Sequence, residues 1–407
     1  MSRLQTNLQQ ALNRIDPWLD ACFPVATALI CARQRLIAYS LLTLFVVLRL
    51  LQRSDKQGWR WILLSLVVLN AGLVIEDRDL KPGSASDYLI IAAGFAAGFQ
   101  RTPDQWRNSL PWLASCILPI LAFTLAEGNP LIERAKSFTG FNINKLGFLA
   151  GLLIVLAYGW LLQAQHHWTR LAALVLVALG AWEAVLTQSR AAIAVPILAI
   201  AVDLASRIQW NPRRWVVATC LMLTLTGATA YQWYFRSPAQ HHVSIENQLS
   251  DINRARTVEC WFASTLQSPR GLWLGLGYGK PGQDQCGPNA IPSLKAVDKS
   301  KGFQHAHNLY TQVFTESGIG ALLLLAGLTV AGFKRCWQQR LSRETNFTLP
   351  LFVYLFLMAI GITYWQVLLV NQILVGYTLA ALSTAKISAS PADRVAAGEP
   401  TPATPPP

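Results

Sequence analysis

Gln304-His305-Ala306-His307-Asn308-Leu309-Tyr310, followed by Glu316-Ser317-Gly318-Ile319-Gly320 and an apolar run from Ala321 to Val330, sets the reading of the whole chain. Here a titratable histidine pair, a polar spacer and glycines stand directly against a stretch apolar enough to span a bilayer. Working outward, the remaining apolar residues arrive in blocks of roughly 16 to 20, the length a helix needs to cross about 30 Å of hydrocarbon. Inside lipid each backbone N–H and C=O must be paired within its own segment, so a bundle of spanning helices is the architecture these blocks allow. The fold expected is an all-α polytopic membrane protein of about twelve transmembrane helices.

The spans read as Pro17 to Cys31, Leu36 to Leu51, Trp61 to Ile75, Tyr88 to Phe99, Leu110 to Ala126, Leu146 to Leu162 and Leu171 to Leu186. Arg190 to Ala205, Trp215 to Tyr234, Gly318 to Phe333, Leu349 to Trp365 and Val367 to Ala385 complete them. A net charge of +13 would suit nucleic acid if the basic residues formed one face. Instead they fill short inter-span loops: Arg53, Lys56 and Arg60; Arg101 and Arg107; Arg170; Arg207, Arg213 and Arg214; Lys334, Arg335, Arg340 and Arg343. By the positive-inside rule these loops are cytoplasmic, with Arg33 and Arg35 as exceptions, and no nucleic-acid partner is expected. Met1 to Asp16 is polar and no small-residue cleavage site follows it, so the first spans would serve as the targeting signal.

Three features then lie on the outer side by parity: the segment from Glu127 to Lys145, the turn Thr187-Gln188-Ser189-Arg190, and a loop from Phe235 to His305. That loop, about 70 residues long, is unusual for a simple connection and reads as functional. Residues 1–385 are expected to form a single transmembrane domain that includes the long loop, 235–305. The Ala, Pro, Ser and Thr of 386–407 read as a disordered cytoplasmic tail. Of the seven cysteines, Cys260 and Cys286 stand in the long loop. An oxidising compartment allows a disulfide between them, but their spacing does not fix the Cα separation a bridge needs, so two unlinked thiols stay open as the alternative.

His307 is a candidate general base. A helix starting beside it would present the positive end of its dipole and keep the imidazole neutral. A structural histidine at a membrane boundary is the plainer reading. Asn308 is placed to orient a substrate hydroxyl, while Glu316 is out of phase with His307 on a straight helix and reads as structural. In Thr187-Gln188-Ser189-Arg190, Ser189 suits an N-cap, and Arg190 in the first helical turn combines free N–H groups, dipole and guanidinium in one anion site. The plainer alternative is an arginine snorkelling to the interface. Glu183 is an acid within a span, and its simplest partner is Arg190. Asn253 to Phe262 reads as an amphipathic helix with Arg254 and Arg256 at its start. Gly277-Tyr278-Gly279-Lys280-Pro281-Gly282 matches GxGxxG literally, but no strand precedes it and Pro281 starts no helix, so it is not a nucleotide fingerprint. No His/Cys group has zinc spacing and no outer acidic pair suits a divalent cation, so neither cofactor nor metal is expected. His166-His167 and His241-His242 read as surface pairs.

Taken together, His307-Asn308-Leu309-Tyr310 with Glu316, Gly318 and Gly320 resembles the signature of the bacterial O-antigen ligase and O-antigen polymerase superfamily. Thr187-Gln188-Ser189-Arg190 is similar to that family's Ser-Arg turn, and Phe141-Asn142-Ile143-Asn144-Lys145 to its Asn-x-Asn segment. Arg254 or Arg256 ahead of Trp261, then Gly275-Leu276-Gly277-Tyr278-Gly279, resembles its arginine-to-tryptophan helix and glycine turn. Arg256 stands one residue further from the aromatic than the family pattern.

The resemblance implies a bacterial inner-membrane, multi-pass transferase with its active site and long loop on the periplasmic face. The donor it implies is a glycan on undecaprenyl diphosphate; the acceptor is lipid A-core or another glycan. It also implies roles: His307, Arg190 and Arg256 catalytic; Asn308, Arg254, Asn144 and Tyr278 substrate-binding. A polymerase of the same superfamily and, from another class, a membrane transporter or export component are the alternatives. Transport would favour polar residues at mid-membrane, whereas the ionisable groups here gather at the outer boundary.

Overall fold

The computed structural model describes residues 35–52, 143–187, 189–207, 257–267, 269–277, 308–341 and 346–361, with positions 25, 26, 29, 114, 117, 124–125, 136–137, 286 and 306. Described in chain order, the helices are α1 (Arg35–Gln52), α2 (Ile143–Gln163), α3 (His167–Thr187), α4 (Arg190–Arg207), α5 (257–266), α6 (Pro269–Leu274), α7 (Leu309–Gln339) and α8 (Thr348–Gly361). The architecture is helical, and three of the described helices, Leu146–Gln163, His167–Thr187 and Leu309–Gln339, are long and apolar enough to cross a membrane. The expected spans at 36–51, 146–162, 171–186, 190–205, 318–333 and 349–365 coincide with α1, α2, α3, α4, the later part of α7 and α8. The other expected spans lie outside the described residues, apart from isolated positions. One of those positions brings a difference. Thr124–Leu125 and Lys136–Ser137 form a two-stranded antiparallel pair, so Thr124 and Leu125, expected within the span Leu110 to Ala126, are strand and not helix.

Helix α2 is the hub: it packs on α3, α4 and α8, and residues 146–157 are buried without interruption. A helix apolar on all sides has to be surrounded, and this one is. Helix α3 turns Ala173, Gly180 and Ala184 inward and leaves Trp168, Leu171, Val175 and Trp182 on an exposed apolar face. The small inward residues permit close approach: a Cβ on Gly180 would come within 2.9 Å of Ile154 Cγ1 and 3.0 Å of Ala150 O. That is how membrane helices gain contact where lipid removes the hydrophobic drive for association. A turn at 164–166 joins α2 to α3, where Arg170 Nε donates to Ala164 O at 3.2 Å and Thr169 Oγ1 to His166 O at 2.7 Å. His166 and His167 are exposed there, as the sequence suggested.

One end of the bundle is locked by charge. Asp203, fully buried, accepts from Tyr158 Oη at 2.8 Å and from Arg207 through Nε at 2.8 Å and Nη2 at 2.9 Å. Arg207 Nη2 also donates to Asn346 O at 2.7 Å, and Arg340 Nε to Ser206 O at 3.1 Å. This network ties α2, α4, the end of α7 and the approach to α8. It also brings together two loops whose basic residues assigned them to one side of the membrane. Asp203 escaped the sequence reading because a single acid in an apolar run carries no pattern; the available signal was Arg207 four positions on, one helical turn away.

Candidate functional site

The opposite end of the bundle carries the motif residues. Asn144 lies in the first turn of α2 and Arg190 opens α4. Gly147 brings the two elements together: a Cβ there would meet Ser189 Cβ at 2.8 Å, Thr187 Oγ1 at 3.0 Å and Ala192 Cβ at 3.1 Å. The turn itself is closed locally. Thr187 Oγ1 donates to Ala184 O at 2.9 Å and accepts from Ser189 N at 3.4 Å, and Ala192 N donates to Ser189 O at 3.0 Å. Ser189 thus occupies the capping position its sequence suggested, with its carbonyl making the first helical bond. Glu183, on the last turns of α3, has a buried Oε2 with no hydrogen-bond partner.

Asn308 is the N-cap of α7, with extended backbone and Oδ1 accepting from Thr311 N at 3.1 Å. Its Nδ2 donates to Ile360 O at 3.3 Å, filling one of the carbonyls that the end of α8 leaves without an intrahelical partner. Heights along the bundle follow from a rise of about 1.5 Å per residue. Tyr354 Oη donates to Phe148 O at 2.6 Å, which sets α8 against α2. Ile360 is about 9 Å beyond Tyr354, and Asn144 about 6 Å before Phe148. Asn308 and Asn144 therefore stand within about one turn of the same level, beside the turn that carries Arg190.

Helix α7 is not straight. Tyr310 Oη and Thr329 Oγ1 lie 2.9 Å apart, whereas a continuous helix would separate those residues by about 28 Å. Gly318, with φ 82° and ψ −177°, folds residues 309–317 back against residues 319–339 in a narrow V. This backbone region is essentially closed to any residue with a Cβ. The bend frees carbonyls that a continuous helix would have used, and the loop takes them: Leu276 N donates to Thr315 O at 2.7 Å and Gly277 N to Glu316 O at 3.2 Å. The approach is so close that a Cβ on Gly318 would lie 2.2 Å from Trp273 O, and one on Gly275 2.3 Å from Glu316 O. Gly275, at φ 79°, also ends α6 by donating to Gly271 O at 2.9 Å. Gly275, Leu276 and Gly277 thus clamp the bend. Glu316 is buried and accepts from Gln312 Nε2 at 3.0 Å, in keeping with the structural role read for it.

Helix α5 lies against the first arm of the V, with Phe262 and Phe314 ring centroids 5.0 Å apart. Cys260 and Cys286 are joined in a disulfide with a Cα separation of 5.9 Å, which decides the alternative left open by the sequence. Trp261, Cys286 and Ala306, each fully buried, form one apolar cluster with Cys260 packed against it. His307 follows Ala306 directly, so its two chain neighbours are both anchored, one in this cluster and one as the N-cap of α7. The readings for His307, Arg254, Arg256 and Tyr278 fall outside the described residues, as do those for the side chains of Asn144 and Arg190. Among the described residues, no group of three or more His, Cys, Asp or Glu is arranged to hold a metal ion.

Apolar helices of spanning length make this a helical membrane protein, and the helix starts at Asn144, Ser189–Arg190 and Asn308 stand toward one end of its bundle. Residues 175–326 match the family model for O-antigen ligase. The match takes in the Ser-Arg turn, α5, the glycine turn and α7 as far as Ala326, including the bend at Gly318. No curated protein matches the chain.

Proposed function

We propose that the chain transfers a glycan from undecaprenyl diphosphate to a sugar hydroxyl of lipid A-core, at the periplasmic face of the inner membrane. The observation that carries this reading is the convergence of Asn144, the Ser189-Arg190 turn and Asn308 at one level of the bundle. In the chain His307 stands between the buried Ala306 and the helix cap Asn308. As the glycosidic bond breaks, the leaving diphosphate gains negative charge. Guanidinium groups from Arg190 and Arg256, with Arg254 as the neighbouring candidate, stabilise that charge more in the transition state than in the ground state. His307 takes the proton of the attacking hydroxyl, a contribution of about 10² to 10⁴ in rate. Asn308 keeps a second amide N–H for substrate after its bond to Ile360, and Asn144 and Tyr278 are further substrate-binding residues in this reading. Attack opposite the leaving group inverts the anomeric centre, and arginines rather than a metal hold the diphosphate.

The test is a deletion strain complemented with His307→Ala, Arg190→Ala or Arg256→Ala, with surface polysaccharide resolved on a gel. Full-length glycan that accumulates without reaching the acceptor is the expected result. Single repeats on the acceptor would assign a polymerase instead, and wild-type glycan from all three variants would refute the mechanism.

A further inference from the structure

We infer that Cys260, Cys286 and Trp261 are positioning residues for His307, and that turnover depends on the loop disulfide. This deepens the reading above and rests on it for the identity of the reaction. His307 is covalently flanked by two residues held in different ways. On one side, Asn308 is fixed by Thr311 N and Ile360 O, both within the helical bundle. On the other, Ala306 has no secondary structure of its own and is fully buried against Trp261 and Cys286.

What holds Cys286 in that cluster is the bond to Cys260 on α5, with Ser264 Oγ 3.4 Å from its sulfur. Helix α5 is in turn held to the bundle by Phe262 on Phe314. The path from the bundle to the leading side of His307 therefore runs through α5, the disulfide and the cluster to Ala306. Removing the covalent link leaves Cys286, among the described contacts, to packing and Ser264, and loosens the leading side of α7. A base displaced by about 1 Å loses on the order of 10²-fold in rate while substrate binding elsewhere is preserved.

The experiment uses the full chain in lipid nanodiscs and measures transfer from a lipid-linked glycan with and without dithiothreitol. Each disulfide takes two electrons and two protons from the dithiol, which closes to its cyclic disulfide and leaves two protein thiols. Reduction should lower turnover by about 10²-fold with KM little changed. Oxidised glutathione should restore the rate, and Cys260→Ala/Cys286→Ala should be slow and insensitive to reductant. Hydrogen exchange gives a readout independent of activity: reduction should accelerate exchange at amides 306–311 and leave α2 and α4 unchanged. A reduced protein that keeps its full rate, or a slowed one whose 306–311 exchange is unaltered, would overturn the inference. So would a double variant that still responds to reductant. If the oxidised protein transfers no glycan yet shows the exchange change, the transfer reading fails and the positioning of this segment by the disulfide stands.

Discussion

Gly318→Ala is the sharpest perturbation the structure offers. The native φ of 82° with ψ of −177° lies in a region that costs a residue with a Cβ about 1–3 kcal/mol. The added methyl would also sit 2.2 Å from Trp273 O, 2.5 Å from its carbonyl carbon and 2.8 Å from Leu274 N. All three are backbone atoms, so no rotamer change relieves the contact and the 269–277 turn has to lift. Lifting it breaks the Leu276–Thr315 and Gly277–Glu316 hydrogen bonds, each contributing about 0.5–1.5 kcal/mol. The total, about 2–6 kcal/mol, should open the clamp locally and leave the bundle folded. Hydrogen exchange at amides 276 and 277, with limited proteolysis across 268–278, reads the opening. Gly320→Ala is the control, because a Cβ there meets nothing within 4 Å and a helical alanine is favoured over glycine by up to about 1 kcal/mol. Equal protection of 276 and 277 in the two variants would refute the reasoning. Gly275→Ala attacks the same contact from the other side, so the double variant should lose little more than either single one.

Three further outcomes follow from the packing. Asp203→Ala strands Arg207 beside Tyr158 and Asn346 O and should destabilise by about 3 kcal/mol, the low end for a broken buried pair because Arg207 is 22% exposed; a thermal midpoint within error of wild type would exclude the lock. Gly147→Ala pushes on Ser189 and Thr187, so complementation should fall further than thermal stability does, and a loss confined to stability would mean the Arg190 turn needs no such placement. Asn308→Ala removes a helix cap worth about 1 kcal/mol together with the tie to Ile360, and should speed exchange at Thr311. Asn308→Asp keeps the cap acceptor and loses only the donor, so its exchange at Thr311 should stay close to wild type.

Much of the helical framework was legible because lipid leaves few options: apolar runs of spanning length have to be helices, and α2, α3 and α4 begin or end within a few residues of where hydropathy puts them. Boundaries slipped where polar residues continue a helix past its apolar part, as at His167 to Arg170. The Thr124–Leu125 pair was illegible, since two residues carry no alternation. Gly318 was visible as a glycine at the head of a span, but its conformation is fixed by Trp273 and Leu274, which local sequence cannot name. The Cys260–Cys286 pair could be nominated by elimination from the spans, whereas the bond depends on a distance set by tertiary packing. Asn308 read as a substrate ligand from its place beside His307; its N-cap bond and its tie to Ile360 became visible only once α7 and α8 were side by side.

The lock at Asp203 bears on how the chain enters the bilayer. Helix α4 is not among the described helices apolar enough to cross on its own, and it carries Pro196 as well as a buried acid. Its carboxylate is neutralised by an arginine one turn away on the same helix, so the two charges can move together. Their remaining hydrogen bonds are to Tyr158, which emerges earlier in synthesis, and to Asn346, which emerges much later. Integration of α4 is therefore best viewed as assisted: the preceding α2–α3 hairpin offers a polar partner at once, and the final seal waits for the C-terminal helices.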